Sequence, residues 1–463
     1  MAGCAPASEE VPLPAEVADR MAWPDPLEHA LSGEAQRQQL CARAGDDVLR
    51  DLFCAAEPPA ITGIAQLQET LGVADADIGG LRGLSITAHS TAVGARSVSA
   101  INPRVVSFQL ERPDLTPPVE LVAVAFVRGD QTAELVVRDR EDRELRFYLL
   151  KYRQPCNDAA EGCLPGDLLS PATESDWTEV SLYDEEDLKN TTVDCRQCHQ
   201  PDGPGTPKLV RMQELKTPWT HWLFNGTAGG RLLLEDFRAA HGDQTYGGMS
   251  AEVITQRANP SGLELWVEYA NLGVNQPNEF AAMAIEAEMA VAWEQAPDAE
   301  RPEDWVLHQS ATWRQAYERA RRGEAIPVPF PGVRVTDPDK LAAMTGAYAA
   351  FREGQLSQDE LPDIRDVFLE DPYDRAAMGF ATEPGLDAPA ILVQACGQCH
   401  NDRLDPDLSR ARFNVDRELS DAQRNAAIER LRLPGSDLLA MPPVHVRSLS
   451  PEARTTLIEW LSE

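Results

Sequence analysis

The sequence contains two five-residue stretches of the form C-x-x-C-H, Cys195-Arg196-Gln197-Cys198-His199 and Cys396-Gly397-Gln398-Cys399-His400. This spacing is typical of covalent attachment of a c-type haem. Residues three positions apart share a helix face, so both thiols can reach the two vinyl groups of one porphyrin while the adjacent imidazole binds the iron. The pattern predicts two haem c groups attached through Cys195, Cys198, Cys396 and Cys399, with His199 and His400 as iron ligands.

Two other kinds of site also use closely spaced cysteines. A four-ligand zinc site would leave both histidines of the two stretches unexplained. A redox-active C-x-x-C pair usually lies in a βαβ unit, and the sequence around the two stretches has no such pattern. Haem attachment is the interpretation that gives every cysteine and histidine of the motif a role.

The chain is strongly acidic. It has 463 residues, enough for two to four domains, and 75 Asp and Glu against 42 Lys and Arg give a formal net charge of −33. Such a field repels nucleic acid and anionic lipid headgroups, and it attracts basic surfaces of partner proteins. We therefore expect redox protein partners with basic docking surfaces and no nucleic-acid partner.

The remaining five cysteines suggest export. The closest pairs in sequence, Cys41 with Cys54 and Cys156 with Cys163, predict two short-range disulfides suited to an oxidising compartment; other pairings or free buried thiols are the alternatives. Cys4 lies in Met1-Ala2-Gly3-Cys4-Ala5, which resembles the end of a bacterial lipoprotein signal. Cys4 is thus a candidate lipidation site, the alternative being an ordinary cysteine in a flexible terminus.

No apolar signal region precedes Cys4, and no run of about 18 apolar residues occurs in the sequence. We expect that an export signal has been trimmed from this sequence. The predicted location is the periplasm or cell surface of a bacterium, with the membrane reached only through an N-terminal lipid anchor.

The chain divides by its periodicity into five predicted segments, and the expected fold class is α+β multidomain, with a β-rich N-terminal domain followed by mostly α-helical haem domains. Short β-branched and aromatic runs between residues 84 and 152, separated by turns such as Arg128-Gly129-Asp130-Gln131, predict an antiparallel meander or sandwich. The segments are an N-terminal tether and helical cap (1–60), the β-rich domain (61–185), a first haem domain (186–300), a helical connector (301–385) and a second haem domain (386–463).

The last segment has the most specific pattern. Ala388 to His400 predicts an apolar helix that ends in the attachment site, and Ser450-Pro451-Glu452 opens a terminal helix. Met441-Pro442-Pro443 lies between them. This order closely resembles the class I cytochrome c family over residues 388–463, although the acidic, Arg-containing loop 405–416 departs from the Gly-rich loop common there. The resemblance implies a fold whose first and last helices cross, with His400 and Met441 as axial ligands.

The first haem domain shares little with that family beyond its pentapeptide and a Gly/Pro loop. Its sixth iron ligand is therefore open. Met249, in a Gly-Gly turn, best imitates the position of Met441 and is the leading candidate. The alternative ligands are Met212, His241 and His221. A further alternative is an open sixth position, which would suit catalysis.

These patterns together predict a dihaem c-type cytochrome that carries single electrons between exported redox partners. The sequence favours a carrier over an enzyme. The main alternative is an enzyme that resembles dihaem cytochrome c peroxidases, which also carry two C-x-x-C-H sites. A second alternative is a sensor or binding lipoprotein in which the β-rich domain recognises a ligand and the haems report redox state.

Overall fold

The computed structural model describes residues 27–28, 30–74, 81–87, 98, 101–116, 118–191, 193–211, 223, 228–258, 260–272, 326–327, 334–335, 350, 355–356, 376–377, 379–404, 409–434, 439–443 and 447–463. Several residues named above lie outside these ranges, namely Cys4, Met212 and His221. No helix in these ranges is long and apolar enough to cross a membrane.

A six-stranded antiparallel sheet lies in the N-terminal half of the chain. Its strands follow one another in sequence order, each hydrogen-bonded to the next. The bounds are β1 Arg82–Thr87, β2 Arg104–Gln109, β3 Val122–Phe126, β4 Thr132–Arg138, β5 Leu145–Arg153 and β6 Thr178–Tyr183. The predicted mixed α and β content, with an antiparallel β-rich part followed by helices, is confirmed.

The first five strands match the β-branched and aromatic runs of the sequence, whereas β6 was not predicted as a strand. Thr178–Tyr183 alternates apolar and polar residues only from Val180 to Leu182, and its pairing with β5 is irregular. Glu179 has a positive φ of 49°, and the register shifts between Lys151 and Arg153. Such a bulge weakens the local signal of a strand.

One face of the sheet is covered by helices from the N-terminal part of the chain. These are α1 Gly33–Cys41, α2 Val48–Phe53 and α3 Ile64–Thr70. Their buried residues Leu40, Leu49, Ile64 and Leu67 pack with side chains of β3, β4 and β5 that point to this face. The expected helical cap therefore lies directly on the sheet.

The other face is covered by helices that follow the first C-x-x-C-H stretch. Trp266 and Val267 of α8 (Pro260–Ala270) pack against Phe108 and Phe147 of the sheet. Phe237 of α6 (Ala228–His241) packs with β1 and β2 residues in a neighbouring cluster. Because both faces are covered, every residue of β3 is buried.

The remaining elements near the sheet are short. They comprise 3-10 turns at Pro155–Asp158 and Pro171–Glu174, α4 Pro165–Leu168, α5 Arg196–His199, the two-residue pair β7 Thr245–Tyr246 and β8 Met249–Ser250, and α7 Ala251–Arg257. In the expected helical connector, the described residues include a two-residue antiparallel pair, β9 Ile326–Pro327 and β10 Arg334–Val335.

The sequence from Asp184 to His199 predicts a helix that carries the first C-x-x-C-H stretch, but the helix there, α5, is only one turn long. Polar side chains before it bind nearby backbone amides instead: Asp184 accepts from the amides of Glu186 and Asp187, and Asp194 accepts from those of Asn190 and Arg196. Such local bonds compete with the helical pattern. The first attachment stretch thus sits on an irregular loop that ends in a single turn.

The C-terminal segment has its own apolar core. α9 (Ala388–Cys396), α10 (Asp421–Arg432) and α11 (Pro451–Leu461) contribute to it. α9 and α10 both pack against α11. α11 begins as predicted, with the Ser450 hydroxyl accepting a hydrogen bond from the Ala453 amide at 3.1 Å. The core members are Ile391, Leu392, Leu419, Ile428, Leu431, Leu449, Leu457 and Leu461.

Two disulfides join the cysteine pairs that are closest in sequence. Cys41 binds Cys54 at a Cα–Cα distance of 5.5 Å, and Cys156 binds Cys163 at 4.7 Å. The first joins the last residue of α1 to the residue that follows α2. The pairing is the one expected from the short spacing.

A prediction about stability concerns Asp47, which is fully buried and caps α2. Its carboxylate accepts hydrogen bonds from the amides of Leu49 and Arg50, and from the Tyr148 hydroxyl at 2.6 Å. Asp47→Ala is expected to lower the free energy of unfolding by about 2–4 kcal/mol, because it removes the cap and leaves a buried hydroxyl unpaired. Urea denaturation followed by tryptophan fluorescence measures the change. Asp47→Asn, which keeps a capping oxygen, should lose less than half as much; equal losses would contradict this account.

Candidate functional site

The first attachment stretch brings its two thiols to one side of a single helical turn. The His199 amide donates to the Cys195 carbonyl at 2.9 Å, and the Cys198 amide donates to the same carbonyl at 3.2 Å. The turn places Cys195 and Cys198 next to each other in space, and neither is in a disulfide. This is the arrangement that attachment to the two vinyl groups of one porphyrin requires.

His199 is held in one orientation by the backbone and by the sheet. Its Nδ1–H donates to the Leu209 carbonyl at 2.8 Å, and its own carbonyl accepts from the Leu209 amide at 2.7 Å. The ring stacks on Phe147 of β5, with centroids 4.1 Å apart and planes 16° from parallel. Nε2 has no hydrogen-bond partner within the described ranges.

Burial lowers the pKa of His199 to about 4. The imidazole is therefore neutral at physiological pH, with its proton on Nδ1 and the lone pair on Nε2 available. A histidine that ligates iron needs this tautomer, and a carbonyl acceptor for the other ring nitrogen is the usual way to fix it.

The second stretch has the same local geometry, although the surrounding sequence differs. The His400 amide donates to the Cys396 carbonyl at 2.9 Å. The Nδ1–H of His400 donates to the carbonyl of Arg410 at 2.8 Å, with Phe413 as a second acceptor at 3.1 Å. The Phe413 ring meets the imidazole edge-on at 5.2 Å. Burial also lowers the pKa of His400.

The two stretches are thus alike beyond their pentapeptides. In each, the histidine Nδ1–H binds the carbonyl of the residue ten positions later, Leu209 or Arg410. In each, the histidine carbonyl accepts a backbone amide from the returning loop, that of Leu209 or Val415. Sequence reasoning missed this similarity, because backbone hydrogen bonds of this kind do not depend on side-chain identity.

Burial favours the protonated form of three of the four thiols. Burial raises the pKa of Cys195 well above its usual range, that of Cys396 to about 12 and that of Cys399 to about 11. Among the described residues, no group of three or more His, Cys, Asp or Glu side chains is arranged to hold a metal ion.

The donor set fits a covalently attached haem. Each site has two neighbouring thiols and a neutral imidazole with one ring nitrogen hydrogen-bonded to the backbone. The second site also has the guanidinium of Arg410. Nη2 of Arg410 is buried and has no hydrogen-bond partner in the described part of the chain. A guanidinium in this state suits a carboxylate such as a haem propionate.

The candidate sixth ligands lie in different surroundings. Met441 is half-buried in the loop between α10 and α11, and its amide donates to the Arg430 carbonyl at 3.3 Å. Met249 is buried in the apolar cluster of β1, β2 and α6, which does not contain Cys195. The structure does not bring Met249 into the cluster that lies beside the first attachment stretch.

His241, an alternative ligand, has both ring nitrogens engaged. Its Nε2–H donates to the Ile101 carbonyl at 2.5 Å, and its Nδ1 accepts from the Arg128 guanidinium at 3.5 Å. Arg128 in turn pairs with the buried Glu174 at 2.7 Å. These contacts direct the ring into a buried polar network instead of towards His199.

The structure brings the two attachment stretches together. The Gln398 side-chain amide donates a hydrogen bond to the Arg196 carbonyl, which connects residues about two hundred positions apart in the sequence. Both stretches line one polar cleft together with Asn401, Arg403 and Arg410. The sequence contained no signal of this proximity.

Comparison with known proteins gives no further guidance, since no family model, no curated protein and no solved structure matches this chain.

Proposed function

We propose that this chain is a dihaem c-type cytochrome that carries single electrons between exported redox partners. The observation that carries the proposal is the repeated geometry of the two C-x-x-C-H stretches. In both, two cysteines that are not in disulfides lie on one helical turn, and a neutral histidine is anchored through Nδ1 to a backbone carbonyl. Two unrelated pieces of sequence have reached the same arrangement, which suits haem attachment.

In this proposal Cys195 and Cys198 hold one haem c, and Cys396 and Cys399 hold the other, with His199 and His400 as axial ligands. Each bound haem would supply a one-electron couple between ferric and ferrous iron. The chain contributes orientation and exclusion of water. The Leu209 and Arg410 carbonyls fix the imidazole tautomers, and the Phe147 ring covers one face of His199.

The sixth ligands are proposed from sequence position. Met441 is assigned to the second haem by the order of helix, Met-Pro-Pro loop and terminal helix. Met249 is assigned to the first haem on its spacing alone, with His241, Met212 and His221 as alternatives. A His/Met pair raises the haem potential relative to a bis-His pair.

We further propose that the protein acts outside the cytoplasm, in the periplasm or at the cell surface. The two disulfides, Cys41–Cys54 and Cys156–Cys163, support an oxidising compartment. Cys4 is the proposed lipid attachment point. The electron donor and acceptor would be proteins, because a chain with a net charge of −33 favours docking with basic surfaces.

A stopped-flow measurement tests the role of the charge. The reduced protein is mixed with a small basic cytochrome, and the oxidation rate is followed at low and at high ionic strength. We expect the rate to fall by roughly 10- to 1,000-fold as salt rises, since steering acts over a Debye length of about 8–10 Å. A small acidic cytochrome is the control and should show no fall. A rate that stays flat with the basic partner would favour a permanent complex over steered encounters.

An enzyme that resembles the dihaem peroxidases is the second candidate, which an open sixth position on the first haem would favour. Peroxide turnover by the reduced protein distinguishes the two. A carrier with both irons six-coordinate should consume hydrogen peroxide no faster than a small His/Met cytochrome does, whereas sustained turnover would assign the chain to the enzymes. Ligand binding by the full-length protein that shifts the haem potentials would favour the sensor alternative.

A further inference from the structure

The contact between the two attachment stretches is more than one hydrogen bond. Four residues from the C-terminal part of the chain approach the first C-x-x-C-H stretch or the segment that follows it, as far as Arg211. They are Gln398, Arg447, Gly379 and Phe380.

Arg447 is a buried cation, with 2% of its surface exposed. Its guanidinium donates to the Asp202 carboxylate at 2.9 Å, to the Gln394 carbonyl at 2.8 Å and to the Gly379 carbonyl at 3.3 Å. Asp202 follows His199 by three residues, and Gln394 lies on α9, which leads into the second stretch. One buried cation therefore ties the first attachment loop to the helix that carries the second.

Gly379 and Phe380 make the approach close. Gly379 has a φ of 72°, and a Cβ on it would lie 2.1 Å from the Cβ of Pro201. Only glycine fits at this position. The Phe380 ring is fully buried and lies under the Arg211 guanidinium at 4.6 Å, while Arg211 donates to the Cys198 carbonyl at 2.8 Å.

We propose that Gln398 and Arg447 are positioning residues that hold the two attachment stretches in one fixed junction, so that the two haems form a magnetically and electrostatically coupled pair. This inference rests on the proposed function. The junction uses only contacts of the chain itself. This role gives a reason for the hydrogen bond from Gln398, at an x position of the second C-x-x-C-H stretch, to the backbone of Arg196 in the first.

The chain supplies a matched control. Gln197 occupies the same position in the first pentapeptide as Gln398 does in the second, but its side chain donates only within its own loop, to the Thr191 carbonyl at 3.4 Å. Gln398→Met and Gln197→Met therefore remove the same chemical group at equivalent positions. Only the first change breaks the junction.

The experiment uses the full-length protein with both haems attached. EPR relaxation of each ferric haem, together with a redox titration, measures the coupling. In the unaltered protein we expect each haem to speed the relaxation of the other, and the potential of each to depend on the oxidation state of the other. Gln398→Met should weaken both effects, and Arg447→Met should weaken them further, while Gln197→Met should leave them unchanged.

Two independent haems in the unaltered protein would overturn the inference, and so would coupling that survives in both Gln398→Met and Arg447→Met. Should Arg447→Met fail to fold, Gln398→Met decides alone, because it removes one hydrogen bond from a half-buried side chain. A chain with no covalent haem would instead overturn the proposed function, and the inference with it. The two failures are distinguished by whether haem stays on the denatured polypeptide.

Discussion

Replacing both Cys396 and Cys399 with alanine is expected to remove the second haem and to unfold the C-terminal segment, residues 386–463. The apolar core of this segment is formed by three helices, and Cys396 packs against it. A core of this size rarely contributes more than about 3–5 kcal/mol to the free energy of unfolding. We expect the stability lost with the attached haem to be larger than this contribution, so the segment should unfold. Haem content per chain should fall from two to one, and limited proteolysis should cut within the segment.

The matched variant replaces Cys195 and Cys198 with alanine. It should also halve the haem content, but it should leave residues 386–463 resistant to protease because α9, α10 and α11 keep their packing. Two haems per chain in the Cys396/Cys399 variant would contradict the assignment of the second site.

Replacing Met441 with alanine is expected to remove the sulfur ligand of the second haem. The sulfur-to-iron charge-transfer band should disappear. The potential of this haem should fall, because a thioether stabilises ferrous iron and axial ligands set haem potentials over a range of ~0.8 V. Optical spectra and a redox titration of the full-length protein measure both changes.

Met249→Ala is the comparison variant, and it separates two roles for that residue. As a ligand, Met249 would give the first haem the same spectral change that Met441→Ala gives the second. As a core residue in the cluster with Leu84 and Val105, its loss would cost about 2–5 kcal/mol of stability and leave the spectrum intact. An unchanged spectrum in Met441→Ala itself would contradict the His/Met assignment.

Local patterns made much of the fold predictable. The β-branched runs predicted β1 to β5, and the Ser450-Pro451 start predicted α11, because each depends on residues close in sequence. The short spacing of Cys41 and Cys54 predicted their disulfide for the same reason. Periodicity was strong in these segments, and no distant contact overrode it.

The arrangement of the segments could not be predicted in the same way. Residues 1–60, 61–185 and 186–300 were expected as three units, yet helices from the first and the third cover opposite faces of one sheet. The fully buried β3 is consistent with two covered faces, but a short apolar run does not reveal what covers it. Contacts between segments that are distant in sequence do not produce a hydrophobic periodicity within either segment.

The candidate site shows the same division. The two pentapeptides were evident from their spacing, whereas the junction between them depends on Gln398, Arg447 and Asp202. These are polar residues whose partners lie far away in sequence. The length of the helix at the first stretch was also predicted wrongly, because Asp184 and Asp194 bind nearby amides and replace helical bonds.

The most direct test of the central claim is the number of haems that stay covalently bound to the polypeptide. The protein would be expressed in a bacterial host that matures c-type cytochromes, denatured, extracted with acidified acetone and weighed intact by mass spectrometry. We expect a chain that retains two haems, with the haem spectrum remaining in the protein fraction. A chain of bare polypeptide mass, from a host that attaches haem to a control cytochrome, would contradict the central claim.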